Sequence, residues 1–252
     1  MNRRVSFRYD VYRDGARYLT LEAVGDPSIR MIASGEIKMA FSGTFVKNSL
    51  VDFLSDTIRP IMILDGISYP LGEFYATTVP ITYENGTDHM QVEAYDGCLI
   101  LKQATLEDMI TLKAGQKYTD IIQNFLTENG IEKAIIESST ATLATDREDW
   151  DIGTPIITVI NALLKEINYN PLWFDLEGNA RVQKYVQPSA NTVSISYESG
   201  EASIIASDCT SSLDTYSAYN VFVVIVSSPD YDQPLRAVSV NDDPASPLST
   251  IR

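Results

Sequence analysis

The residues best suited to chemistry in this chain are few and scattered. Asp146, Glu148, Asp149 and Asp151 crowd into "TDREDWDIG" and form its densest set of oxygen ligands. A calcium loop needs oxygen ligands at alternate positions, a glycine at the sixth and a carboxylate at the twelfth. Counted from Asp146, the sixth position is Asp151 and the twelfth is Ile157, so the pattern fails. Acidic residues ahead of a helix are what the helix dipole favours, and that reading accounts for the cluster. His89 is the single histidine, which leaves a Ser-His-Asp triad or a multi-histidine metal site with little material. Cys98 and Cys209 lie far apart, with no Cys or His at ligand spacing beside either. The spacing leaves a disulfide open and favours two buried thiols.

The other catalytic patterns fail in the same way. "SDCTSSLD" (207–214) offers a thiol and hydroxyls but has no His or Lys near in sequence. "GEASI" lacks the G-x-S-x-G elbow, and no Gly-rich phosphate loop appears. Among 34 acidic residues nothing singles out one glycosidase pair. The sequence therefore assigns no catalytic residue, no cofactor-binding residue and no metal ligand, and predicts that the chain is not an enzyme.

Composition narrows the partners. The net charge of -15 opposes a polyanion, because binding through phosphates needs clustered Lys and Arg. No apolar run is long enough to span a bilayer. "MNRRVSFRYDVY" alternates like a strand rather than running apolar like a secretory signal, which predicts synthesis and retention in the cytoplasm at first. Aromatics are numerous, with 14 Tyr, 8 Phe and 2 Trp, and exposed Tyr and Trp suit a protein interface or a sugar-binding face. Trp150 stands before a helix, and Trp173 and Phe174 are neighbours on a strand, so they point to opposite faces; coverage of both within the module is the favoured reading, and departure of one from its core is the alternative.

The elements that must position these residues fall into three regions. Residues 1–98 are dense in alternating runs such as "VSFRYDVY" and "GEIKMAFSGTF". Asp14-Gly15, Asp65-Gly66 and Asn85-Gly86 separate several of these runs and suit tight hairpin turns. Short antiparallel strands of this kind predict a small barrel or sandwich. Residues 99–187 change period. "LEDMITL" (106–112) fits a short helix or a strand. "GQKYTDIIQNFLTENGI" places Tyr118, Ile121, Ile122, Phe125 and Leu126 on one helical face, with Gly130 past its end. "KAIIESS" (133–139) reads as a strand. "TPIITVINALLKEINYNP" is an amphipathic helix with Thr154 as cap and Pro155 in the first turn. "LWFDLEGNARVQKY" is a hairpin turning at Glu177-Gly178-Asn179. Residues 188–252 return to β pattern in "NTVSISYE", "EASIIASDC", "YSAYNVFVVIVSS" and "PLRAVSVND". The continuous apolar run Val221 to Val226 predicts a strand buried on both faces. The ending "DDPASPLSTIR" reads as a loop, which predicts a second β domain incomplete at its C-terminal end.

The order of these parts resembles the phage and prophage tail hub family, that is, the baseplate hub of contractile tails and related siphophage and prophage tail proteins. The resemblance rests on Tyr95-Asp96, Trp150, Gly153, the following helix, Trp173-Phe174, Gly178, Tyr185, Asn220, and Pro244 with Ser246-Pro247. It implies a mainly β fold with an α+β insertion: two small antiparallel β-barrel domains (1–98 and 188–252) flanking a two-helix plus hairpin module (99–187). It implies a structural virion protein whose copies, as a homotrimer, form a ring joining the tail tube to a central spike or tip. Tail tube and spike or tip proteins are then the partners, with no nucleic acid or membrane among them, and the location is the virion tail, assembled in the host bacterial cytoplasm. No cofactor is implied. Trp150, Trp173, Phe174 and Tyr185 are the interface residues expected on this reading. A carbohydrate-binding module of a tail tip or cell-surface system is the alternative.

Overall fold

Alternation in the first hundred residues becomes nine strands: β1 (Val5–Arg13), β2 (Ala16–Leu21), β3 (Ser28–Met31), β4 (Met39–Val46), β5 (Thr57–Leu64), β6 (Ile67–Pro70), β7 (Phe74–Thr78), β8 (Ile81–Glu84) and β9 (Thr87–Tyr95). The computed structural model describes residues 4–84, 86–187, 218–226 and 235–250, with 193, 196 and 198. Asp14 and Gly15 both take positive φ (50° and 75°) to turn β1 into β2, and Asp65 and Gly66 do the same (50° and 87°) between β5 and β6. Such turns match the right-handed twist of the strands they join.

These strands form one sheet in the order β2-β1-β5-β7-β9-β4-β3, with β6 added to β5 and β8 to β9. Every pairing in it is antiparallel. The ladders do not close it into a barrel. Its ends nevertheless approach: the Val24 N–H donates to the Thr44 carbonyl (2.7 Å) and the Val46 N–H to the Glu22 carbonyl (2.9 Å), which lays the segment after β2 along β4. The enclosed core holds Val11, Phe41, Phe45, Ile58, Phe74 and Val92. Phe41 touches both Phe74 (centroids 5.4 Å) and Phe45 (6.0 Å), so aromatic packing fixes its centre.

The period change brings three helices, α1 (Cys98–Gln103), α2 (Tyr118–Glu128) and α3 (Ile156–Glu166), with strands β10 (Ala134–Ile136), β11 (Trp173–Phe174) and β12 (Ala180–Val182). α1 carries no signal that the sequence reading used. β12 runs parallel to β10 and antiparallel to β11. α3 buries Ile157, Val159, Ile160, Leu163 and Leu164 completely. Each such side chain contributes about 1.5–3 kcal/mol on burial. Residues 106–112 are neither helix nor strand; Leu112 makes only an isolated bridge to Arg147. Thr154 is not a cap as expected. Its hydroxyl donates to the Asp151 carbonyl (2.7 Å), because the Thr105–Pro155 bridge holds this stretch extended, and α3 starts without a side-chain cap. α3 ends at Glu166, and just past its cap Asn168 takes a φ of 57°, which permits the Tyr169 N–H to reach back to the Leu164 carbonyl (2.9 Å).

Residues 1–190 form one compact unit and 191–252 another. Within the first, the sheet and the helical module keep separate hydrophobic cores. In the second, β13 (Val221–Val226) and β14 (Leu235–Val240) pair as an antiparallel ribbon. The expectation that β13 is buried on both faces is overturned: Val221 to Ile225 are 43% to 62% exposed. Among the described residues β13 pairs only with β14, and a two-stranded ribbon offers no layer to cover it. Asn241 then gathers the last described turn, donating to Ser246 Oγ (2.8 Å) and accepting the Thr250 N–H (2.9 Å). Most of "NTVSISYE" and all of "EASIIASDC", on which the expected second barrel rests, lie outside the described residues. Among the described residues no helix is long and apolar enough to cross a membrane.

Candidate interaction surface

Trp173 and Phe174 occupy β11 as consecutive strand residues and part accordingly. Phe174 is buried in the core of the helical module. Its ring lies so close to Gly97 that a Cβ there would overlap it, which is why α1 begins after a glycine. Trp173 is half-buried and turns the other way, opposite Arg181 on β12, whose guanidinium stands 5.9 Å from its ring centre. Trp173, Phe174 and Pro171 line an apolar cleft of about 350 Å³ together with Met31, Ile32 and Met39 from β3, β4 and the turn between them. Trp150 and Tyr185 do not line it. Trp150 packs on the helical core under Arg147 (4.9 Å), and Arg147 also bonds Glu166 (2.6 Å) and pairs with Asp149. Tyr185 is exposed, held through its N–H to the Asn168 carbonyl (3.0 Å).

The chemically capable residues do not converge. Asp146 binds Lys113 (2.8 Å) and the Ala114 N–H (2.8 Å), Glu148 accepts from Thr111 (2.7 Å), and Asp149 turns to Arg147. Among the described residues no three His, Cys, Asp or Glu side chains are grouped to hold a metal ion. Cys98 is buried, and burial, reinforced by Asp96, pushes its thiol far above the ordinary range, so it is a poor nucleophile. Cys209 lies outside the described residues.

Two carboxylates instead hold the surface in shape. Asp96 Oδ2 accepts the N–H groups of Met39 (2.8 Å) and Lys38 (3.2 Å), and Oδ1 accepts that of Cys98 (3.0 Å). This ties the end of β9 and the start of α1 to β4. Burial pushes the Asp96 carboxyl upward, and the three N–H donors oppose it. Glu73 accepts from Thr57 (2.9 Å) and Arg59 (2.7 Å) and lies directly against Gly178 of the hairpin turn. The Tyr75 phenol beside it is pushed up to about 12, by burial first and by Glu73 second. The sequence reading missed Glu73, since nothing local links residues 73 and 178.

A second apolar opening was also missed. A groove of about 460 Å³ lies between Phe7, Tyr9, Ile29, Phe41, Pro60 and Leu71. The alternation of "VSFRY" carried the signal that one face is apolar, though not that the face is left open. Both openings suit the burial of a partner's apolar side chains.

No family model matches the chain, and no curated protein matches it. Solved structures do. The tail protein from Neisseria meningitidis MC58 superposes with a TM-score of 0.63 at 13% identity, covering 96% of this chain and 69% of that one. The 43 kDa tail protein of prophage MuSo2 from Shewanella oneidensis gives 0.59 at 13%, covering 96% and 71%. Prophage tail protein gp18 from Listeria monocytogenes EGD-e gives 0.50 at 10%, covering 93% and 68%. The chain thus has the fold of phage and prophage tail proteins.

Proposed function

We propose that this chain is a structural subunit of a phage or prophage tail: a baseplate or tail hub whose copies form a ring joining the tail tube to the central spike or tip. The observation that carries this reading is the likeness in fold to three tail proteins along 93% to 96% of the chain. Open apolar surface on the sheet and the hairpin module supports it, because a subunit presents such surface to neighbours. On this reading the ring is a homotrimer of two barrel-like domains per copy, its partners are tube and spike or tip proteins, and it acts without catalysis or cofactor. It is assembled in the host cytoplasm and resides in the virion tail. The charge of -15 suits the wall of a DNA channel, along which a repelled polyanion does not stick. Electron microscopy of the concentrated chain tests the reading: closed rings are expected, and dispersed single subunits or open filaments count against it.

One observation favours the second reading, a carbohydrate-binding module. Trp173 is half-exposed at the mouth of a cleft. Against it, the cleft's polar groups are already engaged. The Lys38 ammonium binds the carbonyls of Ala33 (2.9 Å) and Gly35 (2.5 Å), and the Asn170 amide donates to the Lys184 carbonyl (3.2 Å). Few donors are left for sugar hydroxyls. A rise in melting temperature with cell-wall glycans would favour this second reading.

A further inference from the structure

The loop between β4 and β5 holds two leucines in water. Val51 and Phe53 pack on the core of the sheet, while Leu50 and Leu54 are 62% and 98% exposed. A lone exposed leucine is ordinary. Leu54, however, sits on a braced turn. Asp52 Oδ1 accepts the Leu54 N–H (3.1 Å), and Oδ2 accepts the Ser55 hydroxyl (3.0 Å). Asp56 Oδ2 accepts the Asp52 N–H (2.8 Å), and Asn48 Oδ1 accepts the Leu50 N–H (3.0 Å). Arg13 holds Asp56 and also donates to the Leu50 carbonyl (3.0 Å). A turn ordered in advance loses little freedom when a partner buries its side chains.

An opening of matching character lies at the other end of β4. The apolar cleft beside Trp173 is walled by Met31, Ile32 and Met39, where the turn 32–38 leads into that strand. The eight residues of β4 separate this cleft from the loop, a span of about 25 Å. Lys38 and Pro171 are shared with a second opening of about 410 Å³, which takes in Asn161 and Lys165. Those two residues are four apart on α3 and so share one helix face. Asn161 spends its side-chain oxygen on the Leu172 N–H (2.9 Å), and Lys165 is exposed and forms no ion pair among the described residues.

Charge makes the two ends complementary. At the loop end, Arg13 is bound to Asp56 (2.7 Å) and Lys47 to Asp88 (3.0 Å), while the exposed Asp14 and Asp52 form no ion pair among the described residues. That end is therefore net negative. Around the two openings the lysines are Lys38, Lys102 and Lys165, against Glu36, which is bound to Lys102 (2.9 Å), and the buried Asp96, whose oxygens are taken by backbone N–H groups. That end is net positive. In a chain carrying -15, two copies repel except where opposite signs meet, so this pairing of ends is the one that charge favours.

We propose that the loop after β4 of a second copy of this chain inserts Leu54 into the cleft between Met31, Met39 and Trp173, with the acidic loop end facing Lys38 and Lys165, in a head-to-tail contact. This rests on the reading of the chain as a ring subunit and names the contact that builds the ring. Because loop and cleft stand at opposite ends of one strand, each copy can give its loop to one neighbour and its cleft to another. A head-to-tail contact repeated by rotation closes a ring.

The test is light scattering on Leu54→Asp, which spoils only the loop, and Lys165→Glu, which reverses the charge only at the cleft end. Both side chains are exposed, so thermal melting is expected to match the wild type; Leu54→Asn and Lys165→Gln replace them if either melts early. Each variant alone is expected to associate at least about tenfold more weakly than the wild type. Mixed in equal amounts, they are expected to form a one-to-one dimer, since one supplies an intact cleft and the other an intact loop. A mixture that stays monomeric while the wild type associates overturns the proposal. So does a Lys165→Glu variant that associates like the wild type while Leu54→Asp does not, which seats the loop elsewhere. Variants that both keep the wild-type mass overturn this contact and leave the ring reading standing. A wild type that never associates overturns both.

Discussion

The carboxylate of Asp96 accepts the backbone N–H of Met39 at 2.8 Å and so fastens the end of β9 to the start of β4, at the point where the chain leaves the sheet for α1. With its other oxygen on the Cys98 N–H, one buried side chain satisfies backbone donors on both sides of that passage. Asp96→Ala leaves those donors unpaired and is expected to cost about 2–4 kcal/mol in denaturant unfolding, while Asp96→Asn, which keeps one acceptor, costs less. Equal stability of the alanine variant and the wild type would refute this role.

Asp56 and Arg13 predict a pH dependence. Arg13 donates to both carboxylate oxygens (2.7 and 2.8 Å), and this bond, before any other cause, holds the Asp56 carboxyl below its usual range. A carboxyl whose folded value is depressed contributes stability above its unfolded value of about 4, and that contribution is lost as pH falls through the folded value. Asp56→Asn is expected to cost about 1–3 kcal/mol at neutral pH, with the gap from wild type closing below about pH 4. A gap that is the same at pH 7 and pH 3 would contradict the pairing.

Gly97 and Gly130 separate two kinds of glycine. At Gly97 a Cβ would strike the Phe174 ring, so Gly97→Ala overpacks the module and is expected to cost about 1–3 kcal/mol. Gly130 has φ of 77° and open space around it, so Gly130→Ala adds only backbone strain, about 1 kcal/mol. Thermal melting of both variants checks the order, and the reverse order would place the clash elsewhere.

The acidic balance predicts that duplex DNA does not shift on native gels with this chain at physiological salt or below. A retarded band that disappears with added salt would reveal a basic surface that the charge balance hides.

Local signals were the legible ones. Asp14-Gly15 and Asp65-Gly66 announced their hairpins because positive φ is a property of those residues themselves. The apolar stripes of α2 and α3 announced their buried faces for the same reason. What escaped was set at long range. Thr154 looked like a cap, but the bridge between Thr105 and Pro155 decides its conformation. The apolar run of β13 looked like a buried strand, but burial depends on what stacks against it. In the candidate surface, adjacency alone separated Trp173 from Phe174, whereas the Met31 and Met39 side of the cleft follows from the path of the sheet. Trp150 and Tyr185 were named beside them through the resemblance, and neither lines this cleft.

Association is the central claim, and the mass of the purified chain in solution tests it most directly. Light scattering across a concentration series is expected to approach three times the chain mass. A strict monomer at the highest concentration would contradict the account and turn attention to glycans at the Trp173 cleft.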